Sequence, residues 1–249
     1  MTQETVEIQK EIFSEKTSSL EKYQQLVIGE KSLWTLIKYE LVMLFTAAVP
    51  GALGLVLRKI FFPKLLGAVG KNVTFGQNVV LRHPHKIRIG DNVVIDDNVV
   101  LDAKGQDNNG IEIGDNVFIG RNNILNCKNG NIVLKDNVNL GFNCQIFSAS
   151  HVELGMNALI AAYCYFIGGT HTFERIDVSP LEQRRESKGI ILRENIWLGS
   201  NVQVMDGVII GRDAIIGTSA VVNDDIPEYA IAVGIPAKVI RSRKQGVDV

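Results

Sequence analysis

The stretch IGDNVVIDDNVVL, residues 89–101, repeats itself every six residues. An aliphatic residue stands first (Ile89, Ile95, Leu101), Asn stands fourth (Asn92, Asn98) and Val stands fifth (Val93, Val99). Neither the 3.6-residue period of a helix nor the two-residue period of a strand fits this spacing, so the unit is a hexad. Working outward, the first position recurs as Val69, Phe75, Leu81; Ile89, Ile95, Leu101; Ile113, Ile119, Leu125; Leu134, Leu140, Ile146; Leu154, Ile160, Phe166; Leu192, Leu198, Val204; and Ile210, Ile216, Val222. These are seven groups of three. Within each group the spacing is 6 and 6, whereas between groups it is 8, 12, 9, 8, 26 and 6. Extra residues therefore enter only after a third hexad, and one corner of the structure takes every insertion.

A coil of three short strands per turn meets these constraints, with 18 residues per turn and the insertions extruded along one edge. Stacked turns pair as parallel strands about 4.8 Å apart, so seven turns predict a prism about 34 Å tall. The aliphatic first position fills the interior, and the fifth is small because three walls converge there. The recurrent Asn at position four (Asn92, Asn98, Asn116, Asn137, Asn157, Asn195, Asn201) suits a tight corner, since Asn tolerates left-handed backbone angles.

The chain has 249 residues, 46% of them hydrophobic, which is long and apolar enough for a large core and excludes wholesale disorder. Twenty-six basic against 27 acidic residues leave a formal charge of −1, without the footprint of a nucleic-acid-binding protein. Three cysteines and an N-terminus lacking a basic start and an apolar run argue against a disulfide framework and for a reducing, cytoplasmic setting. Residues 1–32 read as a polar arm. Residues 33–68 are apolar on nearly all sides and carry an uncharged run of 17 residues at 41–57, the lower limit for a membrane span. Pro50-Gly51 breaks that run, so two short helices are expected, either dipping into one leaflet through residues 33–66 or packing on protein. The basic residues of the following corner (Arg82, His83, His85, Lys86, Arg88) are placed to meet lipid headgroups. The β-helix is assigned to residues 69–228, with an extruded loop at 172–191, and residues 229–249 form a C-terminal cap and basic tail.

The hexads, together with NIWLGSNVQVMDGVIIGRDAIIGTSAVVNDDIPEYAIAVGIPAKVIRSRK (residues 195–244), resemble the hexapeptide-repeat acyltransferases, in particular the maltose and galactoside O-acetyltransferase branch. The resemblance covers about residues 69–243. It implies a left-handed parallel β-helix, a hand that ordinary crossover rules would not favour, and homotrimers with sites between neighbouring prisms. It also implies an acetyl-CoA or other acyl-CoA donor, no required metal, and an acceptor hydroxyl on a sugar or lipid-linked sugar. The protein is then expected at the cytoplasmic face of the inner membrane.

The long insertion opens on FIGGTH (residues 166–171), and resemblance makes His171 the general base, a role that an imidazole's near-neutral pKa suits. His151 ends the third hexad of the preceding turn. It is expected in the column of His171 one strand spacing away, where it is either an acceptor-site residue or structural. Asn143 is a further acceptor-site candidate. Resemblance assigns Trp197 and Ser200 to the wall of a pantetheine groove, Gly217, Thr218 and Asn223 to its upper part, and Lys238, Arg241 and Arg243 to the phosphates. The family often reads Thr-Lys-Asp where this chain has Asn223-Asp224-Asp225, which removes one phosphate contact. Cys144 and Cys164 occupy fifth positions and are expected in the core. A carbonic-anhydrase-like zinc lyase needs three convergent imidazoles, of which His151 and His171 would supply two. A non-enzymatic membrane-bound scaffold is the third reading.

Overall fold

In the computed structural model, which describes residues 18–244, the three hexads of each group become the three walls of a prism. The first wall runs from Ala68–Val69 to Ile209–Ile210 and the second from Thr74–Phe75 upward. The third runs from Val80–Arg82 to Val221–Val222. Anchor pairs with anchor throughout, as in Ile95↔Ile119, Ile146↔Phe166 and Leu192↔Ile210, all parallel. Every anchor is buried except Val69, at the open lower end, which is partly buried. The coil is a left-handed parallel β-helix with a partial eighth turn, in which Ile226 bridges Ile210 and Ala230–Val233 joins the second wall. Strand Lys238–Ser242 then turns back antiparallel on Ala230–Val233 and covers that edge.

The fourth-position asparagines hold the corners as their side chains predict. Asn92, Asn98, Asn116, Asn137, Asn157, Asn195 and Asn201 all have φ between 57 and 60°, a region that Asn enters at lower cost than most residues. Their amides also bond from turn to turn, Asn78 to Asn98 (3.2 Å), Asn98 to Asn122 (3.2 Å) and Asn122 to Asn143 (3.0 Å). Position four thus serves the bend within a turn and the bond between turns.

Two helices, Leu33–Thr46 and Gly51–Phe61, meet at Pro50, which is the N-cap of the second. They close the bottom of the prism. Tyr39 donates its hydroxyl to the Leu81 carbonyl (2.8 Å), and Phe62 packs edge-on against Phe75. Arg58, only 1% exposed, donates to the carbonyls of Phe75 (3.0 Å), Thr46 (3.0 Å) and Val49 (2.7 Å), bolting both helices and the break between them to the first turn. Among the described residues no helix is long and apolar enough to cross a membrane. The inner faces pack on protein, while Trp34 (73%), Leu44 (72%) and Phe45 (63%) stay exposed on the outer face with Leu53 and Val56.

The first corner is less basic than the sequence suggested. His83 is buried, donates from Nε2 to the Gln25 carbonyl (2.9 Å), and is pushed down to about 4 by burial, so it is neutral and holds the N-terminal segment. Lys86 is spent on the next insertion, donating to the Gly105 and Gln106 carbonyls and Asn108 Oδ1.

Candidate active site

The insertion between Phe166 and Leu192 leaves the prism earlier than its hexad count implies. Ser148 and Gly168 are the last residues in register on the third wall. At Gly169 φ is 145° and a Cβ would lie 2.8 Å from that of Ala149, so the departure needs glycine. Thr170–His171 then pairs antiparallel with Arg185–Glu186, making a two-rung stem in which His171 stands opposite Arg185. His171 therefore sits on the extruded stem and not on the prism corner, and the excursion runs from Gly169 until Ile190 rejoins Val152.

This displacement corrects the placement of His151. It opens strand His151–Leu154 of the first wall directly above Asn131, and because Val152 pairs with Ile190, the position above His151 is Gly189. His171 is not in that column. The His151 ring lies 3.6 Å from Glu153 Oε2. Asn143, with φ 58°, is a corner residue that accepts from Asn122, so its side chain serves the ladder.

The stem is held from both sides. Asp206 Oδ2 accepts from the Lys188 amide (2.8 Å), and its Oδ1 accepts from the Gly189 amide (2.9 Å) and the Ser187 hydroxyl (3.2 Å), where the chain returns to the prism. Inside the loop, buried Gln183 donates to the Arg175 carbonyl, while Thr172 donates from Oγ1 to Gln183 Oε1 (3.4 Å). Arg185 Nε–H donates to His171 Nε2 (3.0 Å), so the ring proton is on Nδ1, which is buried without a hydrogen-bond partner. A side chain with one ring nitrogen protonated and the other a lone pair is equipped to take a proton once Arg185 moves aside.

The residues assigned to the donor gather elsewhere. Trp197, 49% exposed, lies on the second wall between Leu159 and Ile215. Ser200 and Thr218 follow at the corner above it, where the Ser219 amide bonds the Ser200 carbonyl (2.9 Å). A Cβ on Gly217 would meet Val233 Cγ1 at 2.7 Å, so that position must stay bare. Asn223 follows the top strand of the third wall, and Lys238 opens the strand that pairs with Ala230–Val233 on the second. Lys238 pairs with Asp224 at 3.7 Å, so the acidic residue found in place of the family's lysine also engages a remaining cation. Arg243 donates to the Asp213 carbonyl (2.6 Å), and Arg241 pairs with Ile231 in the covering strand. In a triangular prism the loop-bearing corner is opposite the second wall. One chain therefore does not bring His171 beside Trp197.

Cys127, Cys144 and Cys164 are all buried, and burial pushes the Cys127 thiol up. Among the described residues no three His, Cys, Asp or Glu side chains come together to hold a metal ion. Sequence reading missed Arg185, Gln183 and Asp206. Asp206 left no signal, because it is the third position of the hexad that opens at Val204, a position where Asp recurs in the repeat (Asp91, Asp97, Asp115, Asp136).

Comparison with known proteins agrees with this architecture. The profile "Bacterial transferase hexapeptide (six repeats)" matches residues 189–224, and "Hexapeptide repeat of succinyl-transferase" matches residues 68–103. A probable acetyltransferase of Mycobacterium tuberculosis is 34% identical over 115 residues, covering 46% of this chain and 38% of that protein. The putative lipopolysaccharide biosynthesis O-acetyl transferase WbbJ of Escherichia coli is 33% identical over 119 residues, covering 45% of this chain and 61% of its own length. The chain thus spans between about two fifths and three fifths of these relatives. AntD, an N-acyltransferase from Bacillus cereus solved with dTDP-4-amino-4,6-dideoxyglucose and coenzyme A, shares the fold with a TM-score of 0.55. Its sequence identity is 18%, covering 81% of this chain and 92% of that one. With the repeat matched near both ends of the prism and carried through every turn between, the chain is a hexapeptide-repeat protein similar to bacterial transferases built on that repeat.

Proposed function

We propose that the protein is an acyl-CoA-dependent O-acyltransferase, with acetyl-CoA as donor and a hydroxyl of a sugar or lipid-linked sugar as acceptor. The observation that carries this reading is His171, held on a braced stem with its proton on Nδ1 and with a Nε2 lone pair that can take a proton from an incoming hydroxyl once Arg185, which bonds it here, moves aside. Its Nε2 takes the hydroxyl proton as the oxygen attacks the thioester carbonyl. The tetrahedral intermediate then collapses, the C–S bond breaks, and the thiolate of CoA recovers the proton from the imidazolium. Trp197, Ser200, Gly217 and Thr218 would line the pantetheine, with Asn223, Lys238, Arg241 and Arg243 toward the phosphates. The acetyltransferase names of the sequence relatives support the donor class, and the name of the Escherichia coli relative supports a glycan acceptor.

The placement of His171 and Trp197 at opposite sides of one prism supports a homotrimer in which a neighbour's second wall faces this chain's loop-bearing corner. The exposed apolar face of the two helices, flanked by Lys31, Lys59 and Lys64, supports contact with an anionic lipid surface on the side of the membrane where acyl-CoA is found. Lipid-linked acceptors would then lie near the site.

The deciding experiment is acyl-CoA turnover against neutral, anionic and lipid-linked sugars with wild-type protein and His171→Gln. We expect a loss of about a hundredfold or more, the range for removing a general base, with the melting temperature unchanged. A folded variant that keeps normal turnover, or wild-type protein that does not bind acetyl-CoA, refutes the reading.

A further inference from the structure

The corner that carries His171 is more strongly cationic than proton abstraction requires. The insertions there stack upon one another. The Asn129 amide bonds the Lys104 carbonyl (3.1 Å), the Gly130 amide bonds the Ser148 carbonyl (3.2 Å), and Ala149 meets Gly169 where the stem departs. Lys104, Lys128 and Arg185 therefore share one edge. Lys128 lies over the Phe147 ring at 4.8 Å, and its pKa is held down first by burial and then by the charges of Arg185 and Lys104.

The nearby carboxylates are committed elsewhere. Asp102 is buried between Arg82 (3.6 Å) and Lys104 (3.9 Å). Asp206 is bound to the return strand, and Glu186 pairs with Thr170, on the opposite face of the stem from Arg185 and His171. Among the described residues neither Lys128 nor Arg185 makes a salt bridge. Two polar atoms of the same edge, Asn129 Oδ1 and His171 Nδ1, are buried without partners. Phe147 and Tyr165 stand edge to face at 5.6 Å on the adjoining wall and offer an apolar surface.

Arg185 bonded to Nε2 blocks the lone pair that the proposed reaction needs. A neutral sugar gives a guanidinium little reason to leave that nitrogen. A phosphate or carboxylate does, because it accepts two parallel charge-assisted bonds from the same fork. We infer that the acceptor is an anionic sugar, with its phosphate or carboxylate drawn to Arg185 and Lys128, and that this binding uncovers His171. The inference rests on the O-acyltransferase reading. It names the acceptor class and makes Arg185 the residue that couples recognition to release of the base. The sugar's hydroxyls supply a donor for Asn129 Oδ1 and an acceptor for His171 Nδ1–H.

The test uses full-length protein saturated with CoA, so that the donor phosphate site is filled. Glucose, glucose 1-phosphate and glucuronate are titrated separately while the ring nitrogens of the histidines are followed by NMR, with His171 assigned from His171→Gln. At least one anionic sugar should bind about tenfold or more tightly than glucose and shift the His171 Nε2 signal as its bond to Arg185 is lost. The two anions separate phosphate from carboxylate recognition. Arg185→Gln and Lys128→Gln should each abolish the preference while leaving CoA affinity and melting temperature unchanged. Equal binding of all three sugars, or a preference that survives Arg185→Gln, overturns the inference. If His171→Gln abolishes transfer yet no anion preference exists, only this inference falls. If His171→Gln transfers normally, the enzymatic reading falls and the anion site stands or falls by its own titration.

Discussion

Replacing Asp206 with Ala removes the clamp that returns the extruded stem to the prism. Three hydrogen bonds are lost, from the Lys188 amide (2.8 Å), the Gly189 amide (2.9 Å) and the Ser187 hydroxyl (3.2 Å). At a net worth of about 1 kcal/mol each they total about 3 kcal/mol, and water at the exposed Lys188 amide recovers part of this, leaving about 2 kcal/mol. The loss is local, because a solenoid's stability is a sum over turns and their neighbours, and no anchor residue is touched. A change of about 2 kcal/mol raises the open population of the stem about thirtyfold. The readout is amide exchange at Thr172, which bonds the Arg184 carbonyl at 2.8 Å and reports the closed stem. Its exchange should accelerate about thirtyfold, while amides of the walls, such as Ile124 and Gln145, keep wild-type protection. Unchanged exchange at Thr172 would show that the stem does not depend on the clamp. Acceleration throughout the prism would refute the claim that the clamp is local.

The remaining predictions concern the base of the prism and the assembly. Buried His83 titrates at about 4, below the roughly 6.5 of an unfolded histidine. Between those values the unfolded chain binds the extra proton, so stability falls by up to about 3 kcal/mol as pH drops from 6.5 to 4. Melting curves of His83→Gln across that window should lose this slope, and an identical slope in the variant would refute the assignment. Full-length protein should have the solution mass of a trimer, whereas a fully active monomer would rule out a site shared between prisms. It should float with anionic vesicles more than with neutral ones, and Leu44→Glu combined with Phe45→Glu should abolish this. Wild-type protein that ignores both vesicle types, or a variant that floats normally, would make the outer helix face something other than a lipid contact.

The sequence by itself determined the prism, its number of complete turns, the corner that accepts insertions and the break at Pro50. Each is a local rule repeated many times. An aliphatic residue every sixth position and an asparagine at every bend are read identically in each turn, so an error at one turn is corrected by its neighbours. Only the tertiary structure decided what happens where the repetition stops. Counting hexads through Phe166 placed His171 on the wall and above His151, yet the chain leaves register at Gly169 and puts His171 on a stem opposite Arg185. No periodicity marks that exit. It depends on the crowding of Gly169 by Ala149 and on the clamp from Asp206, residues about twenty and 37 positions away that meet only when turns stack. Arg185 and Asp206 were hidden for the same reason, and so was the neutrality of His83, which follows from its burial against the N-terminal segment around Gly29 and holds despite the Gln25 carbonyl it bonds. The roles of these side chains are set by partners distant in sequence, and that is information a repeat does not contain.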